Sequence, residues 1–185
     1  MLGELVKLAR PGHWTKNGLL FAAVVFAGEF RNLTKLETVA LAALLFCLLA
    51  SAVYTFNDLI DRHTDRKHPV KKNRPIASGA VSPMTAAVLA LVLAGIGLAG
   101  AWLINFEFFV TAVVFLALNL AYTLALKGVV ILDVLTIALS FVVRAYAGAA
   151  AIDVPASEWM LMATLLLALF LSFGKRRHEL VVLEQ

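Results

Sequence analysis

The stretch NDLIDRHTD, residues 57–65, follows directly on the apolar run from Thr38 to Phe56. Spacings of three and four residues place Asp58, Asp61 and Asp65 on one face of a helix. Carboxylates stacked in this way repel one another by roughly 1 kcal/mol per pair even in a water-like dielectric, so the arrangement favours a bound cation. Hard oxygen ligands select Mg²⁺ or Ca²⁺, and Mg²⁺ commonly adds the oxygens of a substrate phosphate. The alternative is a charged helix end that is simply solvated.

The composition is that of a membrane protein. Hydrophobic residues make up 62% of the 185 residues, and the mean hydropathy is +0.89. Runs long enough to cross a bilayer, about 17 to 25 residues, recur along the chain. We predict an all-α, polytopic transmembrane helical bundle that forms a single membrane domain over residues 1–185. The six predicted spans are 12–30, 36–57, 83–103, 106–126, 131–151 and 157–174.

The first span has a competing interpretation as a signal peptide, because a basic amino end precedes a short apolar core. Pro11, followed by the polar and aromatic residues His13 and Trp14, is more typical of a helix that begins at the membrane interface. Cys47 lies alone in an apolar span and is interpreted as a small buried hydrophobic residue.

The distribution of Lys and Arg predicts the orientation. With the amino terminus inside, thirteen of the sixteen Lys and Arg residues fall in inner segments, and only Arg31 and Lys35 lie outside. We therefore expect an inner (plasma) membrane protein whose Asp-rich and basic loop, residues 58–82, faces the cytoplasm. No basic, aromatic-interleaved soluble domain is visible, so nucleic acid is not an expected partner.

Basic side chains interleave with the carboxylates of this loop. Acidic groups that hold a metal beside basic groups such as Arg66, Lys71 and Arg74 fit a ligand that both can bind, and a diphosphate is one. Farther along, Arg144 lies in the middle of the fifth apolar run, where a cation is costly unless it faces a polar cavity. Asp133 lies about three helical turns earlier on a similar face, and an ion-pair network inside the bundle is the alternative for both residues.

Four motifs carry a family resemblance beyond the Asp-rich stretch. They are RPxHWxKN at 10–17, DRxHPxKxxRPIASG at 65–79, YxxxxKxxxxxD at 122–133 and GKRRxEL at 174–180. Together they resemble the UbiA superfamily of intramembrane prenyltransferases, and within it the decaprenyl-phosphate phosphoribosyltransferase branch. The resemblance implies a Mg²⁺-dependent membrane transferase that takes a phosphorylated or diphosphate donor and an isoprenoid lipid.

The resemblance also implies roles for particular residues. The expected metal ligands are Asn57, Asp58, Asp61 and Asp65. The expected catalytic residues are Asp58, Asp61, Arg66, Lys71 and Arg74. The expected substrate-binding residues are Lys16, Asn17, Tyr122, Lys127, Arg144, Lys175, Arg176 and Glu179. In this mechanism the bond from carbon to the diphosphate breaks, and the metal and the cations neutralise the negative charge of the leaving group.

The sequence departs from the family pattern in two respects. The family has about nine transmembrane helices, so six spans predict a chain truncated at its carboxyl end. A second aspartate-rich motif of the aromatic prenyltransferases is replaced by the mainly basic segment GKRRHE at 174–179. We therefore expect phosphoribosyl transfer from 5-phosphoribosyl 1-diphosphate to a polyprenyl phosphate. The first alternative is prenyl transfer from a prenyl diphosphate to an aromatic acceptor. The second is a truncated polytopic protein without catalytic activity.

Overall fold

The computed structural model describes the backbone of residues 2–183 and the side chains of residues 3–174, 176 and 177. Over this range the regular secondary structure is helical, and no strand is described. The α-helices are α1 (Leu2–Ala9), α2 (Ala22–Phe26), α3 (Leu33–Asp65), α4 (Pro83–Ile104), α5 (Phe106–Leu124), α6 (Val130–Ala151) and α7 (Glu158–Leu183). Three 3-10 segments join them, at Pro11–Phe21, Lys71–Asn73 and Leu126–Gly128. The predicted all-α bundle is confirmed.

Five of the six predicted spans correspond to continuous helices. Within the described residues, α3, α4, α5 and α6 are long and apolar enough to cross a membrane, and α7 is apolar over Glu158–Gly174. Helix α3 extends eight residues beyond the predicted end at residue 57, so the predicted loop 58–82 begins as helix. The chain is therefore a multi-pass membrane protein.

The predicted first span, 12–30, is wrong as a continuous membrane helix. Residues Pro11–Phe21 form a 3-10 segment, and only Ala22–Phe26 is α-helical before a turn at Gly28. Gly12 and Gly18 lower the helix propensity of the segment, and each costs about 1 kcal/mol relative to alanine in an α-helix. Tertiary contacts compensate, because Leu20 is fully buried in the core.

Capping residues define where the membrane helices begin. The side chains of Asn32, Ser82 and Asn105 each accept a hydrogen bond from a backbone N–H in the first turn of α3, α4 and α5, respectively. Such caps satisfy donors that the helix itself leaves unpaired. The Asn105 amide also donates to the carbonyl of Ala150 at 2.8 Å, which joins the start of α5 to the end of α6.

Helix α3 lies at the centre of the bundle and contacts α1, α4, α5, α6 and the 3-10 segment at Pro11–Phe21. Phe46 of α3 packs against Phe108 and Phe115 of α5, with ring centroids 5.5 and 5.1 Å apart. On its other side α3 approaches α4 closely, because Gly97 and Gly100 leave room for leucine side chains of α3. Small residues permit this kind of contact between membrane helices.

Gly148 of α6 permits a still closer approach. A Cβ atom at this position would collide with the backbone carbonyl of Leu20, which cannot move aside as a flexible side chain could. We expect Gly148→Ala to separate the 3-10 segment from α6 and to destabilise the bundle by about 1–3 kcal/mol, the usual cost of overpacking. The measurement is the thermal unfolding midpoint in detergent. Gly95→Ala is the matched control, since a Cβ there meets nothing within 4 Å.

Candidate active site at one end of the bundle

The carboxylates of Asp58, Asp61 and Asp65 lie along the last two turns of α3, as their spacing predicts. Asp58 and Asp65 are buried, with 2% and 3% of their surfaces exposed. Ion pairs surround both of them. Nη1 of Arg74 lies 3.0 Å from Oδ1 of Asp58 and 2.7 Å from Oδ2 of Asp65, so one guanidinium bridges two carboxylates. Such a pairing is needed because an isolated charge is costly to bury.

Arg10 supplies a second cation to Asp58. Its Nη2 lies 2.6 Å from Oδ1 of Asp58, and its guanidinium lies 5.4 Å from the ring centroid of Tyr54. Its backbone adopts the left-handed conformation, with φ of 51°, and this turn separates α1 from the 3-10 segment. Arg10 belongs to the RPxHWxKN motif, but it is not among the site residues that the sequence predicts. A pairing across 48 residues leaves no local pattern in the sequence.

The amino-terminal segment is held against the site by further contacts. Leu8 of α1 packs with Ile76 and Val81 of the basic loop and with Ala86 of α4. His13 stacks edge-on against Tyr54, with centroids 5.2 Å apart. Burial lowers the pKa of His13, and the nearby charges of Lys16 and Arg10 lower it further, so the imidazole is neutral at pH 7.

A second connection reaches the same end of the bundle from the segment between α5 and α6. Nζ of Lys127 forms an ion pair with Oδ1 of Asp61. Nearby, the hydroxyl of Tyr122 donates to Oδ1 of Asp133 at 2.9 Å, and Nη2 of Arg176 lies 3.2 Å from the other oxygen of the same carboxylate. Tyr122, Lys127 and Arg176 were predicted to bind substrate, and the structure brings them to the end of the bundle where the Asp-rich turns lie.

The basic loop between α3 and α4 contributes cations of two kinds. Arg66 donates from Nε to the carbonyl of Ala77 at 3.0 Å, which ties the loop to itself. Lys71 is exposed and follows a turn in which Nδ1 of His68 accepts hydrogen bonds from the backbone N–H groups of Val70 and Lys71. Of the three predicted catalytic cations, Arg74 is therefore the one that contacts the carboxylates directly.

Arg144 lies in the bundle interior, with 4% of its surface exposed. Its Nε donates to Oδ1 of Asn17 at 3.0 Å, its Nη1 donates to Ser140, and its guanidinium lies 4.7 Å from the ring centroid of Phe115. Arg144 is not paired with Asp133, whose carboxylate forms an ion pair with Arg176. Arg144 and Asn17 together fix the 3-10 segment to α6.

Three further residues were predicted to bind substrate: Lys16, Lys175 and Glu179. Nζ of Lys16 lies 6.0 Å from the ring centroid of Phe141, on the same segment as Asn17. Lys175 and Glu179 belong to α7, but their side chains lie outside the described part of the structure. Sequence reasoning also missed Ser51, whose hydroxyl accepts from Nε1 of Trp14 at 3.0 Å and contacts the carbonyl of Ala9.

The fit of the Asp-rich turns to a divalent metal depends on how closely their oxygen atoms converge. Among the described residues, no three acidic, His or Cys side chains converge closely enough to hold one. The carboxylates do share one helix face, and Oδ1 of Asn57, one turn before Asp61, is buried without a hydrogen-bond partner. Amide and carboxylate oxygens are the ligands that Mg²⁺ prefers. The residues therefore fit a magnesium ion, provided that the paired cations move.

The part of the chain that the structure describes is an all-helical membrane bundle with carboxylates and cations gathered at one end. Residues 18–178 match the model of the UbiA prenyltransferase family, and the chain belongs to that family. The predicted resemblance is confirmed.

Two individual proteins are similar to this chain over at least 95% of its length. The chain is 37% identical over its whole length to a decaprenyl-phosphate phosphoribosyltransferase from Mycobacterium tuberculosis, of which it covers 63%. It is 35% identical, over 95% of its length, to the nodulation protein NoeC from Azorhizobium caulinodans, of which it covers 57%. The chain thus spans less than two thirds of the length of these relatives.

A solved structure supports the fold independently. A UbiA homologue from Archaeoglobus fulgidus, bound to DMAPP and Mg²⁺, superposes with a TM-score of 0.76 at 26% sequence identity. The superposition covers 90% of this chain and 60% of the homologue. Structural relatives of this chain therefore bind a divalent metal.

Proposed function

We propose that this chain forms the donor-binding part of a membrane transferase that moves phosphoribosyl from 5-phosphoribosyl 1-diphosphate to a polyprenyl phosphate such as decaprenyl phosphate. The observation that carries the proposal is the 37% identity to the M. tuberculosis phosphoribosyltransferase along the whole chain. The site supports it, because carboxylates and cations of α3, the basic loop and the α5–α6 connection meet at one end of the bundle.

In this proposal Asn57, Asp58, Asp61 and Asp65 hold a Mg²⁺ ion. When bound, the ion neutralises the negative charge that develops on the diphosphate as it leaves. Arg74 then turns from the carboxylates toward the diphosphate, and Arg66 and Lys71 approach from the same loop. Preorganised donors of this kind stabilise the transition state more than the ground state. A lipid phosphate is already an anionic nucleophile, so the site needs no strong general base.

The proposed role of Arg176 in α7 distinguishes this reaction from prenyl transfer. A phosphoribosyl donor carries a 5-phosphate besides its diphosphate, and the acceptor brings a further phosphate. We propose that Tyr122, Lys127 and Arg176 line the part of the site that receives these groups. Support comes from Asp133, which accepts from Tyr122 and pairs with Arg176, so that α5, α6 and α7 are joined at this end.

We further propose that the site faces the cytoplasm from the inner membrane, and that residues 1–185 act as one membrane domain. Arg74 of the basic loop, Lys127 and Arg176 of α7 lie at the same end of the bundle as the Asp-rich turns. Such an excess of Lys and Arg is typical of cytoplasmic segments.

The alternative function is prenyl transfer from a prenyl diphosphate to an aromatic acceptor. One observation favours it: the A. fulgidus homologue binds DMAPP, a prenyl diphosphate, together with Mg²⁺. Both reactions break a bond from carbon to a diphosphate, so the Asp-rich turns fit either one. The additional phosphates of the phosphoribosyl reaction are what separates the two.

We expect Arg176→Ala to lower phosphoribosyl transfer at least about tenfold. A charge-assisted phosphate contact is worth roughly 1.5–3 kcal/mol, and about 1.4 kcal/mol corresponds to a decade in rate. The measurement is the rate at subsaturating 5-phosphoribosyl 1-diphosphate. Arg177→Ala is the matched control, because Arg177 is the exposed neighbour on the same helix turn. Equal rates for Arg176→Ala and the unmodified protein would contradict the assignment.

A further inference from the structure

Each carboxylate of the Asp-rich turns is paired with a cation from another segment. Arg10 comes from the turn after α1, Arg74 from the basic loop and Lys127 from the α5–α6 connection. Three negative charges thus face three positive charges. Asp58 and Asp65 have little access to water, so the protein itself must supply their counterions.

This balance sets the conditions under which a metal can bind. A divalent ion added alone would be repelled by three cations already in place. A diphosphate added alone would be repelled by the carboxylates that lie beside those same cations. When both arrive together, the diphosphate supplies oxygen ligands to the metal and accepts the cations that the carboxylates release.

We infer that Arg10, Arg74 and Lys127 are internal counterions that keep a divalent metal off the Asp-rich turns until a diphosphate binds with it. Metal and diphosphate then bind cooperatively, and by thermodynamic linkage each raises the affinity of the other equally. The inference rests on the proposed function, since it concerns the same site. Arg10 acts here as a positioning residue, through Asp58, and links the amino-terminal segment to occupancy of the site.

The first test measures Mn²⁺ binding by electron paramagnetic resonance on the purified protein without any diphosphate. We expect Lys127→Gln to raise Mn²⁺ affinity about tenfold, because one repelling cation is lost. The side chain of Asp61 is 27% exposed, so water can solvate its carboxylate when Lys127 is replaced. Arg10→Gln should act in the same direction. Lys35→Gln is the control, because Lys35 pairs with Glu29 near the start of α3, at the opposite end of the bundle.

The second test follows the thermal unfolding midpoint of the unmodified protein. We expect Mg²⁺ alone and inorganic pyrophosphate alone to leave the midpoint unchanged, and the two together to raise it. Unchanged Mn²⁺ affinity in Lys127→Gln, or a full increase in midpoint with Mg²⁺ alone, would overturn the inference. If the proposed metal site itself were wrong, the result would be different. The additional Mn²⁺ binding of Lys127→Gln would then persist after Asp61→Asn is added to the same protein.

Discussion

Asp61→Asn is expected to lower phosphoribosyl transfer about 10³-fold while the protein remains folded. The substitution removes a charged ligand from the proposed Mg²⁺ site, and loss of one preorganised electrostatic group costs about 10²–10³ in rate. Asp61 is partly exposed, and Lys127 is its ion-pair partner among the described residues, so the structural cost is small. Asp58→Asn should abolish transfer as well, but it also leaves Arg10 and Arg74 without their shared carboxylate.

The measurement is transfer in membranes or detergent, with Mg²⁺ varied and with EDTA as a reference. Added Mg²⁺ should restore activity lost to EDTA in the unmodified protein but not in Asp61→Asn. Asp153→Asn provides the matched control, because Asp153 lies beyond the far end of α6 in an exposed turn. Near-normal transfer by Asp61→Asn would remove this residue from the metal site.

Arg74→Gln should destabilise the protein by about 3 kcal/mol, the largest stability effect that we expect from a single substitution. Removing one partner of a buried ion pair typically costs 3–5 kcal/mol, because the other charge stays buried and uncompensated. The lower end applies here, since Arg10 still neutralises Asp58 and only Asp65 loses its cation. The measurement is the free energy of unfolding, or the thermal midpoint in detergent.

Arg62→Gln is the control for this prediction. Arg62 lies on the same turns of α3, but its guanidinium donates only to the carbonyl of Leu59 among the contacts described. If both variants lost the same stability, the bridge from Arg74 to two carboxylates would contribute no more than a surface contact. A larger loss in Arg74→Gln identifies the buried charges as the cause.

Local features explain why most helices were predicted well. Ser82 and Pro83 form a cap and a first helical turn, and Asn105 separates α4 from α5, so hydrophobicity and capping agree. The spacing of Asp58, Asp61 and Asp65 placed them on one helix face because α3 continues through them. Each of these signals lies within a few residues of the feature that it predicts.

The features that the sequence did not predict depend on contacts between residues that are far apart in the chain. Hydrophobicity suggested a membrane helix over 12–30, but the segment is shaped by contacts with α3 and α6. Arg144 and its partner Asn17 are 127 residues apart in the sequence, and Arg10 and Asp58 are 48 residues apart. Such pairings depend on how helices pack and leave no periodic trace. The sequence therefore predicted that Asp58, Asp61, Asp65 and Arg74 lie together at one end of the bundle, but it missed Arg10 and did not predict how the charges pair.

The choice of donor is the most direct test of the account. The purified protein is offered 5-phosphoribosyl 1-diphosphate with a polyprenyl phosphate, and separately a prenyl diphosphate with an aromatic acid, each with Mg²⁺. Chromatography of the labelled lipid products then identifies the reaction. We expect a phosphoribosylated polyprenyl phosphate from the first pair and no product from the second. Product from the prenyl diphosphate and the aromatic acid alone would contradict the account and establish the alternative.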